Sequence, residues 1–397
     1  MLRRTLLSSP ILLAQTAPSK RIAAVVTEYR PLSHADVVVG KYLEGYRHDE
    51  KPPYPRSKIV ALHTEQVPAN DLSRQKAKKY GVPIYPTVRA ALTLGGDKLA
   101  VDGVILIGEH GDYPTNEKGQ KLYPRYEMFL KVTDVFRESR RAVPVYTDKH
   151  LSWNWHQARR MVEIARELRF PLMAGSSIPV AYRVPTHDVP YGTPVRHGLV
   201  ISFGGLEGYG FHGLEGLQAL MERRAGGETG VAAVQCLEGA SCWQYLDQNA
   251  WAGKLFAAAL ARSETRKPGD PRQLVAKPAA FLVHYRDGAT GVVFQAPGLV
   301  EEWLGAVELA GVADPFSVLF KLQRFGARHH FACLVQNIEK MFETGTPPYP
   351  VERTLLTSGI LDFALESRSR GHIRLDTPDL AVAYRPARGP CYCQEGW

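Results

Sequence analysis

From Arg21 to Gly175 the chain alternates short, β-branched apolar runs with helix-like segments, and this alternation limits the fold more than any other feature. Arg21–Val26 (RIAAVV), Ile59–Leu62 and Val104–Ile107 read as buried parallel strands, with shorter ones at Ile84–Tyr85, Val143–Tyr146 and Pro171–Gly175. Helices are expected at His34–Tyr46, Asp71–Tyr80, Thr87–Leu94, Tyr123–Ser139 and Trp155–Leu168. Ser33 is a good cap for the first of them. The last places Ala158, Met161, Val162 and Ala165 at helical spacing. Such an order predicts a doubly wound parallel sheet whose crossovers are right-handed. Near Ser176 the pattern changes. His197–Phe203, Val231–Cys236, Ala280–Tyr285 and Gly291–Gln295 alternate more strictly, and only Leu214–Arg224, Trp251–Arg262 and Phe331–Phe342 read as helices. This predicts an α+β domain with a large open, mainly antiparallel sheet. The expected units are residues 21–175 and 176–377, with an irregular tail over 378–397.

The 397 residues are 45% hydrophobic and 22% charged, ordinary globular values that set disorder aside. No apolar run approaches the ~20 residues that span a bilayer. The net charge is +9, but the arginines cluster only at Arg137/Arg140/Arg141 and Arg368/Arg370, which read as solvated helix faces and not as a nucleic-acid surface. Residues 1–20 are set aside as a leader. Met1-Leu2-Arg3-Arg4, an apolar stretch to Leu13 and Ala14-Gln15-Thr16-Ala17 have the layout of an export signal, with Arg3-Arg4 resembling the twin-arginine type; a cytoplasmic leader is the alternative. The five cysteines are odd in number and have no zinc-ribbon spacing. Cys236 and Cys242 are candidates for a disulfide in an exported protein, and Cys391 and Cys393 read as incidental thiols of a frayed tail.

Three motifs carry chemistry. Ala77–Tyr85 followed by Val101-Asp102-Gly103-Val104 has the form of a βα unit leading into a strand. Val143–Leu151 ends a strand on Asp148-Lys149-His150. Gly210-Phe211-His212-Gly213-Leu214-Glu215 offers a histidine ahead of an apolar helix. In this order they resemble the Gfo/Idh/MocA (glucose–fructose oxidoreductase / inositol dehydrogenase) family, over about Arg21 to Leu375. The second is similar to the family's Glu-Lys-Pro and the third to its Gly-x-His-x-x-Asp, with Glu215 in place of the aspartate. The resemblance implies a Rossmann-like first domain and a hydride-transferring enzyme that uses NAD or NADP on a sugar, polyol or related hydroxyl. It implies that Lys149 hydrogen-bonds the substrate hydroxyl and that His212 is its acid/base, with Tyr209 adding a hydroxyl. These residue types suit alcohol oxidation: a base near working pH takes the O–H proton, and an ammonium steadies the alkoxide. Read without the resemblance, Lys149 is a solvated lysine at a domain seam, and His212 a structural histidine with Glu215 in a helix cap. A homo-dimer or homo-tetramer joined through the open sheet is also implied.

The cofactor loop departs from the family. Gly-x-Gly-x-x-Gly would follow the first strand. Here the position reads Thr27-Glu28-Tyr29-Arg30-Pro31-Leu32-Ser33-His34, without glycine. The candidate dinucleotide contacts are Thr27, Arg30, Ser33 and His34 in this loop, Glu65 for the ribose, and His110 and Asp148 on the same crevice. Glu28 adds a like charge. His63, His110, Asp112, His150 and His187 leave a divalent metal open, although no metal ligand set is assigned. Three functions therefore stand: a nicotinamide-dependent oxidoreductase, which these residues favour; a non-redox carbohydrate lyase, isomerase or hydrolase on the same scaffold; and a non-catalytic ligand-binding relative.

Overall fold

The computed structural model describes residues 18–323 and 328–394; residues 1–17 of the expected leader 1–20 lie outside them. The first unit alternates as expected: β1 (Arg21–Val26), α1 (His34–Glu44), β2 (Lys58–Thr64), α2 (Ser73–Tyr80), α3 (Val88–Thr93), β3 (Gly103–Ile107), α4 (Arg125–Ser139), β4 (Val145–Asp148), α5 (Trp155–Glu167) and β5 (Leu172–Gly175). All five strands run parallel in the order β2-β1-β3-β4-β5. Ile84 adds a parallel bridge beside Leu62 at the outer edge. Successive strand residues point to opposite faces, and both faces are buried. Ala23, Val25, Val104 and Leu106 pack towards α3, α4 and α5. Ile22, Ala24, Val26, Ile105 and Ile107 pack against Val38 of α1 and its neighbours.

The second unit contains β6 (Arg183–Val184), β7 (Val195–Ser202), α6 (Gly208–Met221), β8 (Val231–Glu238), α7 (Ala240–Gln248), α8 (Ala250–Leu260), α9 (Pro271–Leu274), β9 (Ala279–Tyr285), β10 (Thr290–Gln295), β11 (Trp303–Leu309) and β12 (Phe316–Phe320). It continues through α10 (His329–Thr344), α11 (Glu352–Ser369) and β13 (Leu375–Asp376). Its sheet has eight strands in the order β13-β8-β9-β10-β7-β11-β12-β6. Only the β10/β7 pair is parallel, the other pairs being antiparallel.

Several expectations change. The sheet is not bare on one side: α6 lies on one face, while Leu255, Phe256 and Ala259 of α8 pack on Leu199, Ile201, Leu304 and Leu319 of the other. Self-association through an open face would lose the surface that α8 covers. α6 begins at Gly208, not Leu214, so His212 and Glu215 are interior helix residues and Glu215 is no cap. The helix runs this early because its glycines let it lie close on the sheet; a Cβ at Gly213 would stand 2.5 Å from Val293 Cγ1. β11, β12 and α7 were not anticipated. α10 returns to the first sheet, where Phe331, Val335, Ile338 and Phe342 join the core beside α1. Cys236 and Cys242 are buried free thiols, and Cys393 pairs instead with Cys333 of α10, tying the tail down. Among the described residues no helix is long and apolar enough to cross a membrane.

If α6 depends on this close approach, Gly213→Val should overpack the interface and cost about 1–3 kcal/mol. Urea unfolding should show a lower midpoint with an unchanged slope; an unchanged midpoint would mean that the helix does not bear on the sheet as described.

Candidate active site

The carboxyl ends of β3 and β4 and the start of α1 face α6 and β11 across a cleft of about 320 Å³. This is where ligands bind in open α/β sheets. Lys149 follows β4 directly, is 5% exposed and holds φ at +59°. His110, after β3, holds φ at +71°. Non-glycine residues in this left-handed region carry strain, and such strain gathers at functional sites.

Lys149 is anchored from below. Its Nζ lies 3.0 Å from Glu109 Oε1, and the other oxygen of Glu109 takes the guanidinium of fully buried Arg125. Burial alone would raise the Glu109 carboxyl, but Lys149, Arg125, His34 and His110 outweigh it and hold it well below the usual range. Arg125 also donates to His150 Nε2 at 3.1 Å. Burial, reinforced by Arg125, pushes His150 well below its ordinary value. His150 therefore sits behind the lysine as a neutral acceptor and does not face the cleft.

On the opposite wall His212 Nδ1 is 2.6 Å from Ser176 Oγ. Ser176 is the first residue after β5, so the segment joining the two units orients this histidine. Glu215, one turn on, accepts from the Ser176 amide at 3.1 Å and from Thr357 Oγ1 at 2.6 Å. Burial drives His212 well below its normal value, Lys149 and His34 adding to the effect. The same cause lowers His110 to about 4 and His330, at the start of α10, to about 3. Tyr209 is 41% exposed and stacks on Trp303 with ring centroids 5.6 Å apart, giving the cleft an aromatic wall.

The structure thus brings Lys149, His212, Tyr209, His34 and His110 to one cleft. Asp148 lies just beneath, 2.6 Å from His34 Nδ1. The remaining candidates are elsewhere. Thr27 is fully buried and its hydroxyl donates to the Glu109 and Ile107 carbonyls, so the expected ligand contact is not on offer. Ser33 is the α1 cap, its Oγ accepting from the amides of Asp36 and Arg30. Arg30 is ion-paired with Glu28 at the mouth of the loop. Glu65 accepts from the Tyr113 hydroxyl at 2.6 Å. His63 bonds the Tyr85 carbonyl, and His187 packs on Phe316, so neither joins a histidine cluster. Among the described residues no group of three or more His, Cys, Asp or Glu is set to hold a metal ion. Sequence reasoning missed Glu109, Arg125, Ser176, Trp303 and His330. Only Glu109 carried a signal: it stands at the same strand end as His110.

No family model matches the sequence, and no curated protein does. Solved structures share the whole fold. The apo scyllo-inositol dehydrogenase from Lactobacillus casei is 10% identical with a TM-score of 0.57, over 91% of this chain and 99% of that one. A probable dehydrogenase from Thermotoga maritima is 12% identical with a TM-score of 0.56 over the same shares, 91% and 99%. An oxidoreductase from Agrobacterium radiobacter, in complex with NAD+, L-tartaric acid and magnesium, is 13% identical with a TM-score of 0.54 over 90% and 98%. The two-unit architecture is therefore that of the dehydrogenases which the sequence motifs resemble.

The four buried histidines bind a proton more weakly folded than unfolded, where the ordinary value is about 6.5. The stability they contribute is complete above that pH and is lost below it, at up to roughly 1.4 kcal/mol per pH unit per histidine. Glu109, also depressed, adds a loss of the same sign at lower pH. Calorimetry should show Tm falling from pH 7 to pH 5; a flat Tm would contradict neutral burial.

Proposed function

We propose that this protein is an oxidoreductase that moves a hydride between NAD or NADP and a hydroxyl of a sugar- or polyol-like substrate. The observation that carries the reading is the convergence of Lys149 from one unit and His212 from the other on a single cleft. The NAD+ bound to the Agrobacterium radiobacter oxidoreductase of the same fold supports it.

The residues at the mouth of α1 fit a dinucleotide phosphate. Ser33 caps the Asp36 amide of the first turn, and the first-turn amides of His34 and Ala35 are helix donors that an anion at this terminus would satisfy. Leu32 holds φ at +62°, the conformation that a loop glycine would supply, so the turn keeps its path although a side chain stands on it. Arg30 and these amides would hold the phosphates, the His34 ring being engaged by Asp148, and Glu65 and His110 would lie towards the riboses. When bound, the nicotinamide supplies the hydride acceptor or donor. Lys149 hydrogen-bonds the reacting hydroxyl and steadies its alkoxide. His212, kept neutral by burial, presents an imidazole to the same hydroxyl, and in the tautomer that donates Nδ1–H to Ser176 its Nε2 is free to accept the proton. Tyr209 and Trp303 wall the substrate side. A non-redox reaction in the same cleft is the second reading. It is favoured by Leu32, whose side chain is 60% exposed in the loop where a phosphate-binding turn carries glycine.

We also propose export to an oxidising compartment, supported by the leader and by the Cys333–Cys393 disulfide. A homo-dimer or homo-tetramer is proposed as well, joined through surfaces other than the one beneath α8; light scattering of the purified chain tests the oligomeric state.

Titration of the purified protein with NAD(H) and NADP(H), followed by nicotinamide fluorescence, should give micromolar binding, about 8 kcal/mol. Leu32→Gly should tighten it without loss of stability, because glycine suits φ at +62°. In a screen of polyols and sugar acids, Lys149→Ala should abolish turnover and leave dinucleotide binding in place. Absence of binding in both the native protein and Leu32→Gly would move the assignment to the non-redox reading.

A further inference from the structure

His34 and Asp148 come from the start of α1 and the end of β4, residues 114 apart, and form a side-chain pair at 2.6 Å. Asp148 is 1% exposed, and its other oxygen accepts from the buried Tyr146 hydroxyl at 3.3 Å. His34 lines the cleft on the wall facing His212. An ionised carboxylate can only accept, so Nδ1 of His34 carries the hydrogen and Nε2 of the neutral ring keeps its lone pair. The partner thereby sets the tautomer. Once Nε2 takes a proton, the same carboxylate compensates the imidazolium. His212 has no such support, since its Nδ1 partner is the neutral hydroxyl of Ser176. The other groups around His34 come from the end of β3, from α6 and α10, and from the β4 end beside Asp148. They are His110 at 5.3 Å between ring centroids, Glu109 beside it, Lys149 next to Asp148, and His330 and His212, each in electrostatic contact with the ring. Phe331 closes the remaining side edge-on at 5.3 Å.

We propose that His34 is a second acid/base of the cleft, oriented by Asp148 as its positioning residue, and that the proton which His212 accepts from the reacting hydroxyl is passed on and ends on His34 Nε2. The O–H bond breaks, Lys149 pairs with the alkoxide, and the C–H bond breaks as the C=O bond forms; a bound nicotinamide dinucleotide would take up the hydride, and Asp148 balances the new charge on the imidazole. The proposal deepens the oxidoreductase reading and rests on it for the identity of the proton donor, but the dyad is testable without turnover.

Two substitutions separate it from a packing role. In Asp148→Asn the carboxamide can turn its NH2 group to Nδ1 and impose the opposite tautomer, with Nε2 protonated; Asp148→Ala leaves the tautomer free. Ring nitrogen shifts of the full chain labelled with 15N-histidine read the tautomer directly. They should show Nδ1–H in the native protein and Nε2–H in Asp148→Asn. With the substrate found by the screen, kcat/KM should fall roughly 10²–10⁴-fold in Asp148→Asn and less in Asp148→Ala. The acid limb of the pH profile should move to lower pH in Asp148→Ala, because His34 loses its counter-charge. NAD+ affinity should change little in either variant. Equal losses in the two variants with an unmoved pH profile would overturn the proposal, as would weakened NAD+ binding as the sole effect, which would make His34 a cofactor contact. If no dinucleotide binds, the oxidoreductase reading fails by itself, and modification with diethyl pyrocarbonate decides the dyad. His34 must then react clearly faster in the native protein than in Asp148→Asn, and equal rates would overturn it.

Discussion

The buried carboxyl of Glu215 is the point at which the two units are tied together. It accepts from the Ser176 amide on the connecting segment and from Thr354 and Thr357 of α11, while its own helix lies on the second sheet. Gly175, with φ at +121°, ends β5 against it, and a Cβ there would meet Glu215 Oε2 at 2.5 Å and Thr354 Oγ1 at 2.6 Å. Only a glycine lets the strand end this close. Burial raises the Glu215 carboxyl above its ordinary value, with nearby Arg353 opposing. Because Ser176 also holds His212, the interaction that fixes the domain seam fixes the second-unit wall of the cleft.

The first-unit wall follows a different logic. Lys149 and Arg125 are two buried cations on one carboxylate, and buried charges persist only when compensated. Glu109 meets that need at a strand end, where the parallel sheet delivers β3 and β4 side by side. The histidines around this ion pair are neutral for the reason the pair is charged. Burial is the main force that pushes His110 and His150 down; Arg125 adds to it for His150 and His34 for His110, while Glu109 opposes both. Asp148 is the second carboxylate of this wall, and His34 is the imidazole it serves.

Much of this was legible in the sequence, and the misses have physical causes. β1 to β5 were readable because strands covered on both faces are continuous apolar runs, and RIAAVV cannot be amphipathic. The start of α6 was hidden by Gly208, Gly210 and Gly213, which weaken a helix unless close packing requires them. β11 and β12 were missed because both faces of the second sheet are covered, which erases the alternation that half-buried strands show. Lys149 and His212 were found through motif order, but the partners that define their chemistry were not. Arg125 and Glu109 are 16 residues apart, and His212 and Ser176 are 36 apart. Such separations carry no periodic signal. The Cys333–Cys393 pairing spans 60 residues and was likewise beyond reach, since connectivity does not follow from cysteine positions.

The glycine-free loop is the feature in which sequence and fold pull apart. Tyr29 is fully buried beneath α1, and Leu72 donates its amide to the Tyr29 carbonyl at 2.7 Å, so the turn is built into the core of the first unit. Asp36 braces it by accepting from the Leu32 amide at 3.0 Å while pairing with Lys76 at 3.0 Å. Such a loop keeps its path without glycine because these bonds brace it. Its cost is the Leu32 side chain at the cleft mouth. That side chain lines the same cleft as His34, Lys149 and His212. What the loop turns to the cleft is the His34 imidazole with the Asp148 carboxylate behind it, so that one ring nitrogen is fixed by the carboxylate and the other is left to the cleft.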